Sequence, residues 1–393
     1  MVKKKKVLFV AYGGGHVNMI VPVVQAILAK DEWAVEVVGL TTARAVLDRA
    51  GIAHLGFRDI VGEHDAAALA WGRRLSAGVN SDTVARDETV AYMGLSYADL
   101  EAQHGAAKAA EIYAVQGRHA FLPVRSMQRL LDKLKPDLVV ATNAPRAERA
   151  AILAAREARI AAICIVDLYP PTDGAWLKEN SYAQKVCVLN GTAKQMLIAS
   201  GRNGDDIAVT GNPAFDRHYL FARGEHASEF KEEIIVGFAS NILPQPPAGK
   251  PDGALQREVF ERLEELCARK GYTLALRQHP NEKAWADIGN AVNCSGTAID
   301  AYLASLDMLI TFPSTIALEA QIHGVRVGLL DFTSLSVACA YLFNGDFEAI
   351  SQVQDIDGLT VVRDVPSRIQ GSAIQSATNN VCTVINELME KIN

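Results

Sequence analysis

The sequence predicts an α/β protein built from two Rossmann-like halves that face each other across a cleft. The chain has 393 residues, more than one hydrophobic core usually serves. Short apolar runs alternate with amphipathic stretches, which is typical of parallel strands covered by helices. This rhythm stops between residues 212 and 233 and then begins again. We therefore place an N-terminal domain at residues 1–215, a C-terminal domain at 233–371, and a final helix at 372–393 that packs back on the first domain.

The first half opens with a strand, a helix and a second strand, at residues 7–11, 17–30 and 35–40. A helix at 42–50 follows and ends at Gly51, in the position that favours glycine. Residues 58–116 are rich in alanine and polar side chains, so we expect helical insertions and loops at the rim of the sheet. Further elements are a helix at 146–159 and strands at 137–142, 161–166, 185–189 and 207–210.

The second half repeats the alternation of strands and helices. Gly211, Asn212 and Pro213 precede it and are typical of a turn, so we interpret this crossing as a hinge. The predicted elements are strands at 234–239, 272–277, 308–311 and 325–330, and helices at 254–270, 315–323 and 372–392.

Composition excludes several classes of protein. The net charge is −6 and the pI about 5.9, so we expect no nucleic-acid partner, because such proteins usually carry a basic surplus. No apolar run approaches the roughly 18 residues of a membrane span. The lysine run at residues 3–6 is expected to be a solvated tail, with peripheral membrane contact as the alternative. The six cysteines contain no CxxC pair, which favours buried thiols in a cytoplasmic protein.

A glycine-rich turn follows the first predicted strand. Gly13, Gly14 and Gly15 let the backbone approach a ligand at the edge of the sheet where ligands bind. We therefore expect Gly14 and Gly15 to contact a nucleotide or phosphate. His16 is a candidate general base, because imidazole titrates near neutral pH; a histidine that only hydrogen-bonds the loop is the alternative. The pattern is not GxGxxG, which counts against a nicotinamide cofactor.

Two stretches of the second half are expected to hold phosphate or nucleotide. His279 follows a predicted strand and could donate a hydrogen bond to a phosphate oxygen; a histidine that caps a turn is the alternative. Ser314 and Thr315 open a predicted helix, where hydroxyls and free N–H groups can bind a phosphate. Glu319, about one turn further on, can reach the two hydroxyls of a ribose. Simple N-capping with a surface glutamate is the alternative.

Asp167 ends the predicted strand at 161–166, so its carboxylate should face the ligand-binding edge. It could be a general base that activates an acceptor hydroxyl, or it could cap neighbouring backbone. Arg146 and Glu148 are weaker candidates of the same kind. Surface or structural roles are expected for the histidines without such placement, which are His54, His64, His104, His119, His218, His226 and His323.

These motifs resemble a known family. The GGGHV loop at residues 13–17 is similar to the glycine loop of GT-B-fold glycosyltransferases. The VTGNP hinge at 209–213, the His-Pro turn at 279–280 and the STIALEA helix at 314–320 resemble bacterial surface-polysaccharide enzymes of that fold. The resemblance implies that His16 lies near the reacting sugar and that the nucleotide-sugar contacts His279, Ser314, Thr315 and Glu319.

Nucleotide-sugar 2-epimerases share this fold and resemble the segment around Glu319. Their first loop carries an arginine, where this chain has three glycines and His16. Their GDT-type and EAG-type strand ends are replaced here by Thr142-Asn143 and Val166-Asp167.

The leading hypothesis is therefore a glycosyltransferase of bacterial glycan or polysaccharide biosynthesis. It would move a sugar from a UDP-linked or CMP/CDP-linked donor to a hydroxyl of a glycan or small-molecule acceptor, which the region 58–116 would help to bind. No cofactor and no metal are expected, since no DxD pair ends a predicted strand. A nucleotide-sugar 2-epimerase or hydrolase is the first alternative, and a non-catalytic regulator that binds a nucleotide-sugar is the second.

Overall fold

The computed structural model describes residues 4–79, 84–170, 174–223, 233–243, 251–279, 282–333, 335–336, 347–361 and 376–392. The chain divides into two compact units. The first unit comprises Met1–Asp216 and Ile374–Asn393, and the second comprises Arg217–Ala373. Within the described residues each unit contains a six-stranded parallel sheet with helices around it, so the predicted α/β class with two Rossmann-like halves is confirmed.

The sheet of the first unit has the strand order β2-β1-β3-β4-β5-β6. The chain runs from β1 outward to β2 and then returns to the other side of β1, where it forms β3. The carboxyl ends of β1 and β3 therefore lie at a topological switch point, the usual ligand site of an open α/β sheet. The strands are β1 (Lys6–Ala11), β2 (Ala34–Gly39), β3 (Leu138–Thr142), β4 (Ala161–Ile165), β5 (Lys185–Val188) and β6 (Ile207–Val209).

Helices cover the strands of the first unit because their apolar faces pack on the sheet. They are α1 (Gly15–Lys30), α2 (Ala43–Arg49), α3 (Ala66–Leu75), α4 (Arg86–His104), α5 (Ala106–Gln116), α6 (Val124–Leu134), α7 (Ala147–Glu157) and α8 (Gly191–Ala199). A further helix, α9 (Asp216–Arg223), spans the boundary between the two units.

The region 58–116 is helical, as expected, but it is more than an insertion at the rim. The side chains of Tyr92, Leu95 and Leu100 on α4 are buried in the same core cluster as strands β1 and β3. Two glycines let α3 and α4 touch: a Cβ at Gly72 would lie 2.0 Å from the carbonyl oxygen of Val90. A Cβ at Gly94 would likewise lie 2.2 Å from a carbonyl oxygen of α3.

The C-terminal helix (Ala377–Lys391) belongs to the first unit, so its predicted packing on the N-terminal half is confirmed. Its buried Val381, Ile385 and Met389 join the core cluster that contains α1. Trp33 also donates a hydrogen bond from Nε1 to Oδ1 of Asn386 at 3.2 Å. The predicted start of this helix, at 372, lies outside the described residues.

The second unit has the strand order β12-β11-β10-β7-β8-β9, which places its switch point between β7 and β10. The sequence analysis missed the edge strands β9 and β12, because both are short and largely exposed. The strands are β7 (Ile235–Ala239), β8 (Thr273–Arg277), β9 (Val292–Asn293), β10 (Met308–Thr311), β11 (Arg326–Leu330) and β12 (Glu348–Ile350), and the helices are α10 (Ala254–Lys270), α11 (Ile299–Ala304) and α12 (Thr315–Ile322).

The described cysteines are all unpaired thiols. Cys164, Cys187, Cys267 and Cys382 are buried, and Cys294 is half-buried. Burial raises the pKa of the Cys187 thiol to about 12, so it stays protonated and packs as a small apolar group. Cys339 lies outside the described residues. In the described part of the chain, no helix has the length and apolar character needed to cross a membrane.

Candidate functional site

Three side chains form a hydrogen-bonded series at the switch point of the first sheet. Thr142, the last residue of β3, donates from Oγ1 to Oε1 of Glu148 at 2.6 Å. The same Oγ1 lies 2.9 Å from Nδ1 of His16, in the first turn of α1. Because the hydroxyl has one proton and gives it to the carboxylate, it accepts the proton on Nδ1 of His16. The Nε2 atom of His16 is then an acceptor, which is the state that a general base needs.

Glu148 is fully buried near the N-terminus of α7. Burial is the largest effect on its carboxyl group and raises its pKa, while His16, Thr142, the backbone N–H of Tyr12 and Arg146 oppose that shift. The Tyr12 N–H donates to Oε1 at 2.8 Å. Among the described residues, Oε2 has no hydrogen-bond partner. The sequence ranked Glu148 as a weaker candidate, and the structure places it directly behind His16.

Asp167 lies at the end of β4 and is held by the neighbouring strand end. Asn143 donates from Nδ2 to Oδ1 of Asp167, and the Asp167 N–H donates to Oδ1 of Asn143, both at 3.1 Å. Oδ1 also accepts the N–H of Leu168 at 2.9 Å, so the predicted alternative of a backbone cap is present in part. The side chain is half-buried, so it keeps access to solvent.

The structure therefore ties the two predicted catalytic residues to one strand end. His16 contacts Thr142 and Asp167 contacts Asn143, and these two partners are consecutive residues whose Cα atoms lie about 3.8 Å apart. The sequence analysis noted Thr142 and Asn143 only as a strand end. The signal in the sequence was two consecutive polar residues at the end of a buried parallel strand, where they could hold the candidate catalytic side chains.

The glycine-rich turn has the conformation that its sequence predicts. A Cβ at Gly13 would lie 1.7 Å from Oγ1 of Thr42, so a larger residue there would require Thr42 to move. Gly14 has a φ of 71° and stands at the N-cap of α1. Gly14 and Gly15 are exposed, with no atom within 4 Å of a Cβ placed on either. Their predicted contact with a nucleotide or phosphate stays a prediction.

A cavity of about 200 Å³ lies beside this turn, within the first unit. Two polar atoms of lining residues are buried without a hydrogen-bond partner among the described residues: Tyr92 Oη and Thr41 Oγ1. Burial raises the pKa of Tyr92 to about 12, so its hydroxyl remains a donor at neutral pH. Thr41 has a φ of 50°, an unusual conformation for a β-branched residue. Such unmatched polar atoms and backbone strain often mark binding sites.

In the second unit, His279 follows β8 and is half-buried. Glu282 holds its backbone, because Oε2 of Glu282 accepts the His279 N–H at 2.8 Å. The other oxygen of Glu282 accepts a hydrogen bond from Oγ of Ser240, after β7, at 2.8 Å. Glu282 thus links the ends of two neighbouring strands, a role that the sequence analysis did not assign. Pro280, the second residue of the His-Pro turn, lies outside the described residues.

Ser314 and Thr315 begin α12 directly beyond β10, at the switch point of the second sheet. Ser314 occupies the N-cap position, but its side chain forms no capping hydrogen bond. The alternative that Ser314 simply caps the helix is therefore not observed. Thr315 is exposed. The Glu319 side chain is only 15% exposed, so it is not a surface glutamate. Burial raises the pKa of Glu319, against the opposing effect of Arg217.

His218 and His323, for which surface or structural roles are expected, both lie in the interior of the second unit. His218 is fully buried, and the side chain of His323 is 1% exposed. Both imidazoles approach the same oxygen, Oδ1 of Asp300, at 2.6 Å and 3.4 Å respectively. Burial lowers the pKa of His218 to about 4, although Asp300 opposes that shift, and burial also lowers the pKa of His323. Both rings are therefore neutral at physiological pH.

Comparison with solved structures gives matches along nearly the whole chain. A Listeria monocytogenes protein named provisionally as a UDP-N-acetylglucosamine 2-epimerase has a TM-score of 0.63 at 15% identity, over 99% of this chain and 98% of that one. The Neisseria meningitidis UDP-GlcNAc 2-epimerase bound to UDP-GlcNAc has a TM-score of 0.60 at 14% identity, over 98% and 100%. The glycotransferase of kitacinnamycin has a TM-score of 0.53 at 13% identity, over 99% and 95%.

These matches establish the GT-B fold that the sequence motifs implied. No protein-family model matches the chain, and no curated protein matches its sequence. The activity must therefore be inferred from the side chains at the two switch points.

Proposed function

We propose that the protein binds a nucleotide-sugar and either inverts the configuration at C2 of the sugar, as a 2-epimerase does, or releases the sugar, as a hydrolase does. One observation carries this proposal. Two groups able to carry a proton, His16 and Asp167, are each hydrogen-bonded to one of two consecutive residues at the end of β3. The match to several solved UDP-GlcNAc 2-epimerases supports the same choice. Sequence reasoning alone placed glycosyl transfer first.

Inversion at a carbon atom that carries hydrogen sets a clear chemical requirement. A base must take the proton from C2, and the electron pair left there forms a C1–C2 double bond as the nucleotide leaves C1. An acid must then return a proton to the other face of C2 while the nucleotide adds back to C1. Addition of water to C1 instead releases the free sugar. His16 is suited to the first task, because Thr142, itself held by Glu148, accepts the proton of Nδ1 and leaves Nε2 as an acceptor. Asp167, fixed by Asn143, is the group proposed to carry the proton for the second. Transfer of a sugar to a hydroxyl needs only one such base. A pair of side chains that can each carry a proton therefore favours inversion at C2.

The second unit is proposed to hold the nucleotide. The N-terminus of α12 presents backbone N–H groups together with the hydroxyls of Ser314 and Thr315, which suit a phosphate. His279 at the end of β8 would add a hydrogen-bond donor. Glu319 would accept hydrogen bonds from ribose hydroxyls. Because the solved Neisseria enzyme holds UDP-GlcNAc, a UDP-linked sugar is the first ligand to test.

Glycosyl transfer is the second candidate, and the cavity beside the glycine-rich turn supports it. Its lining includes Tyr12, Tyr92 and Arg118, which mix apolar surface with donors for a small acceptor. The similarity to the kitacinnamycin glycotransferase points the same way. In this reaction Asp167 or His16 would activate the acceptor hydroxyl. Neither candidate reaction needs an electron-carrying cofactor.

Incubation of the protein with UDP-GlcNAc in D₂O, followed by proton NMR, separates these functions. We expect deuterium at C2 of the sugar, with formation of the epimer or of free sugar in the absence of any acceptor. Sugar consumption that requires an added acceptor, without deuterium at C2, would favour transfer instead. Binding without turnover across UDP-, CMP- and GDP-linked sugars, with and without acceptors, would leave a non-catalytic regulator. Glu111→Gln, an exposed substitution on α5, should give the same products as the original protein.

A further inference from the structure

Three side chains from separate elements of the second unit meet in one cluster. His218 lies on α9, Asp300 on α11, and His323 follows the last residue of α12. The three potential ligand atoms, one from each residue, all lie within 4.8 Å of one another. We infer that His218, Asp300 and His323 form a binding site for a divalent transition-metal cation. This inference does not depend on the proposed function.

The spacing of the three atoms suits a cation. His218 Nδ1 and His323 Nε2 are 3.3 Å apart, and Asp300 Oδ1 lies 2.6 Å from the first and 3.4 Å from the second. With metal–ligand bonds of about 2.0–2.1 Å, ligand atoms at right or tetrahedral angles are about 2.9–3.4 Å apart. Two of the three separations already fall in this range. The third must lengthen by about 0.3 Å to fit the same geometry.

The carboxylate oxygen gives an independent reason for a ligand. Asp300 Oδ1 is buried and accepts no hydrogen bond of normal geometry among the described residues, although two ring nitrogens lie close to it. A buried carboxylate oxygen in this state is costly, because it has lost its water and the two nearby ring nitrogens give it no well-aligned hydrogen bond in exchange. A cation held between this oxygen and the two imidazoles would remove that cost.

The other nitrogen of His218 lies near a carboxylate that could accept its proton when a cation is bound. Arg217 donates from Nε to His218 Nε2 at 3.4 Å, so the ring proton stands on Nδ1 when no cation is bound. Coordination through Nδ1 moves that proton to Nε2. The Nε–H of Arg217 must then turn away from Nε2, and Oε2 of Glu319, 3.8 Å from Nε2, must move closer to accept the proton. Metal-bound histidines usually donate their second ring N–H to a carboxylate or carbonyl in this way.

The ligand set selects the kind of cation. Two imidazoles and one carboxylate suit Zn²⁺ or a similar transition metal, whereas Mg²⁺ and Ca²⁺ prefer oxygen ligands. Asp300 keeps 21% of its side chain exposed, which leaves a side from which water can complete the coordination. The sequence analysis expected no metal because no DxD pair ends a predicted strand. His218, Asp300 and His323 are far apart in the sequence and form no short ligand motif that could have indicated this site.

The test uses the full-length, tag-free protein after removal of metals with a chelator. Equilibrium dialysis against ZnCl₂, with metal content measured by mass spectrometry, should give one Zn²⁺ per chain. Asp300→Asn and His323→Gln should each weaken binding by more than about 100-fold, beyond the roughly 10–100-fold typical of residues outside the ligand set. His104→Gln removes an exposed histidine elsewhere and should bind as the original protein does.

Spectroscopy and stability give readouts that do not depend on catalysis. CoCl₂ should produce visible absorption bands of a coordinated cobalt ion, and these should vanish in Asp300→Asn. ZnCl₂ should raise the melting temperature of the original protein and of His104→Gln but not of the two site variants. The inference is overturned if the original protein binds less than one Zn²⁺ or if MgCl₂ displaces Zn²⁺ at equal concentration. Equal Zn²⁺ binding by the site variants and the original protein overturns it as well.

Discussion

Thr142 Oγ1 donates a 2.6 Å hydrogen bond to Glu148 Oε1 and thereby places a fully buried carboxylate behind His16. The six-residue separation of this pair follows from the strand-to-helix turn between β3 and α7. A buried carboxylate with a raised pKa, held against a candidate base, is a common arrangement at catalytic sites. It also has a consequence for stability that can be measured.

Glu148→Gln should change how stability depends on pH. Burial raises the pKa of Glu148 in the folded protein, so folding favours its protonated form. Its contribution to stability is therefore fully present below the unfolded pKa of about 4.3 and is lost as pH rises through the higher folded pKa. The glutamine of the variant cannot ionise. The free energy of unfolding of the variant should therefore increase relative to that of the original protein as the pH rises from 4 to 8. Urea unfolding across this range measures the difference.

Glu261→Gln, exposed on α10, serves as the control and should follow the original pH profile. A constant difference between Glu148→Gln and the original protein at every pH would contradict burial as the cause of the raised pKa.

Asp167→Asn should lower turnover of a nucleotide-sugar by about 10²–10⁴-fold, as expected for loss of a proton carrier. The amide keeps the shape of the side chain and can retain a hydrogen bond with Asn143. Binding of the nucleotide-sugar should therefore change little, which calorimetry can establish alongside turnover in D₂O. An equal loss of binding and turnover would assign Asp167 to ligand binding instead of proton transfer.

Glu319→Gln should weaken nucleotide binding by about 1–3 kcal/mol through loss of a charge-assisted hydrogen bond to ribose. Calorimetry with UDP, CMP, CDP, GDP and NAD measures the binding free energy of each nucleotide. A chelator in the buffer removes any effect of a bound metal. Glu261→Gln, exposed on α10, is the control. If one nucleotide binds the original protein and Glu319→Gln equally, the ribose role of Glu319 is wrong.

Thr41→Gly should raise the free energy of unfolding by about 1 kcal/mol. The positive φ of Thr41 carries about 1–3 kcal/mol of strain, which exceeds the roughly 0.5–1 kcal/mol that glycine costs in chain entropy. The adjacent Thr42 has a φ of −70°, so Thr42→Gly should instead lower stability by about 0.5–1 kcal/mol. Thermal unfolding of both variants tests the opposite signs. A destabilised Thr41→Gly would mean that the φ of Thr41 carries no such strain.

The central strands of both sheets were predictable because each is buried on both faces and therefore appears as a short, continuous apolar run. Strands β1, β3 and β10 begin and end within one residue of their predicted limits. The short edge strands β9 and β12 lack this pattern, since most of their residues are exposed. The burial of α4 was not predicted either, because it depends on the close approach that Gly72 and Gly94 allow.

The sequence by itself determined which residues stand at strand ends, because a glycine turn, an acidic residue or a pair of hydroxyls directly after an apolar run is a local pattern. His16, Asp167 and Ser314 were found in this way. Only the tertiary structure decided that His16 and Asp167 lie at the end of the same strand, because strand order, set by non-local pairing, brings β1, β3 and β4 side by side. The same holds for His218, Asp300 and His323, which packing alone brings together from positions up to 105 residues apart.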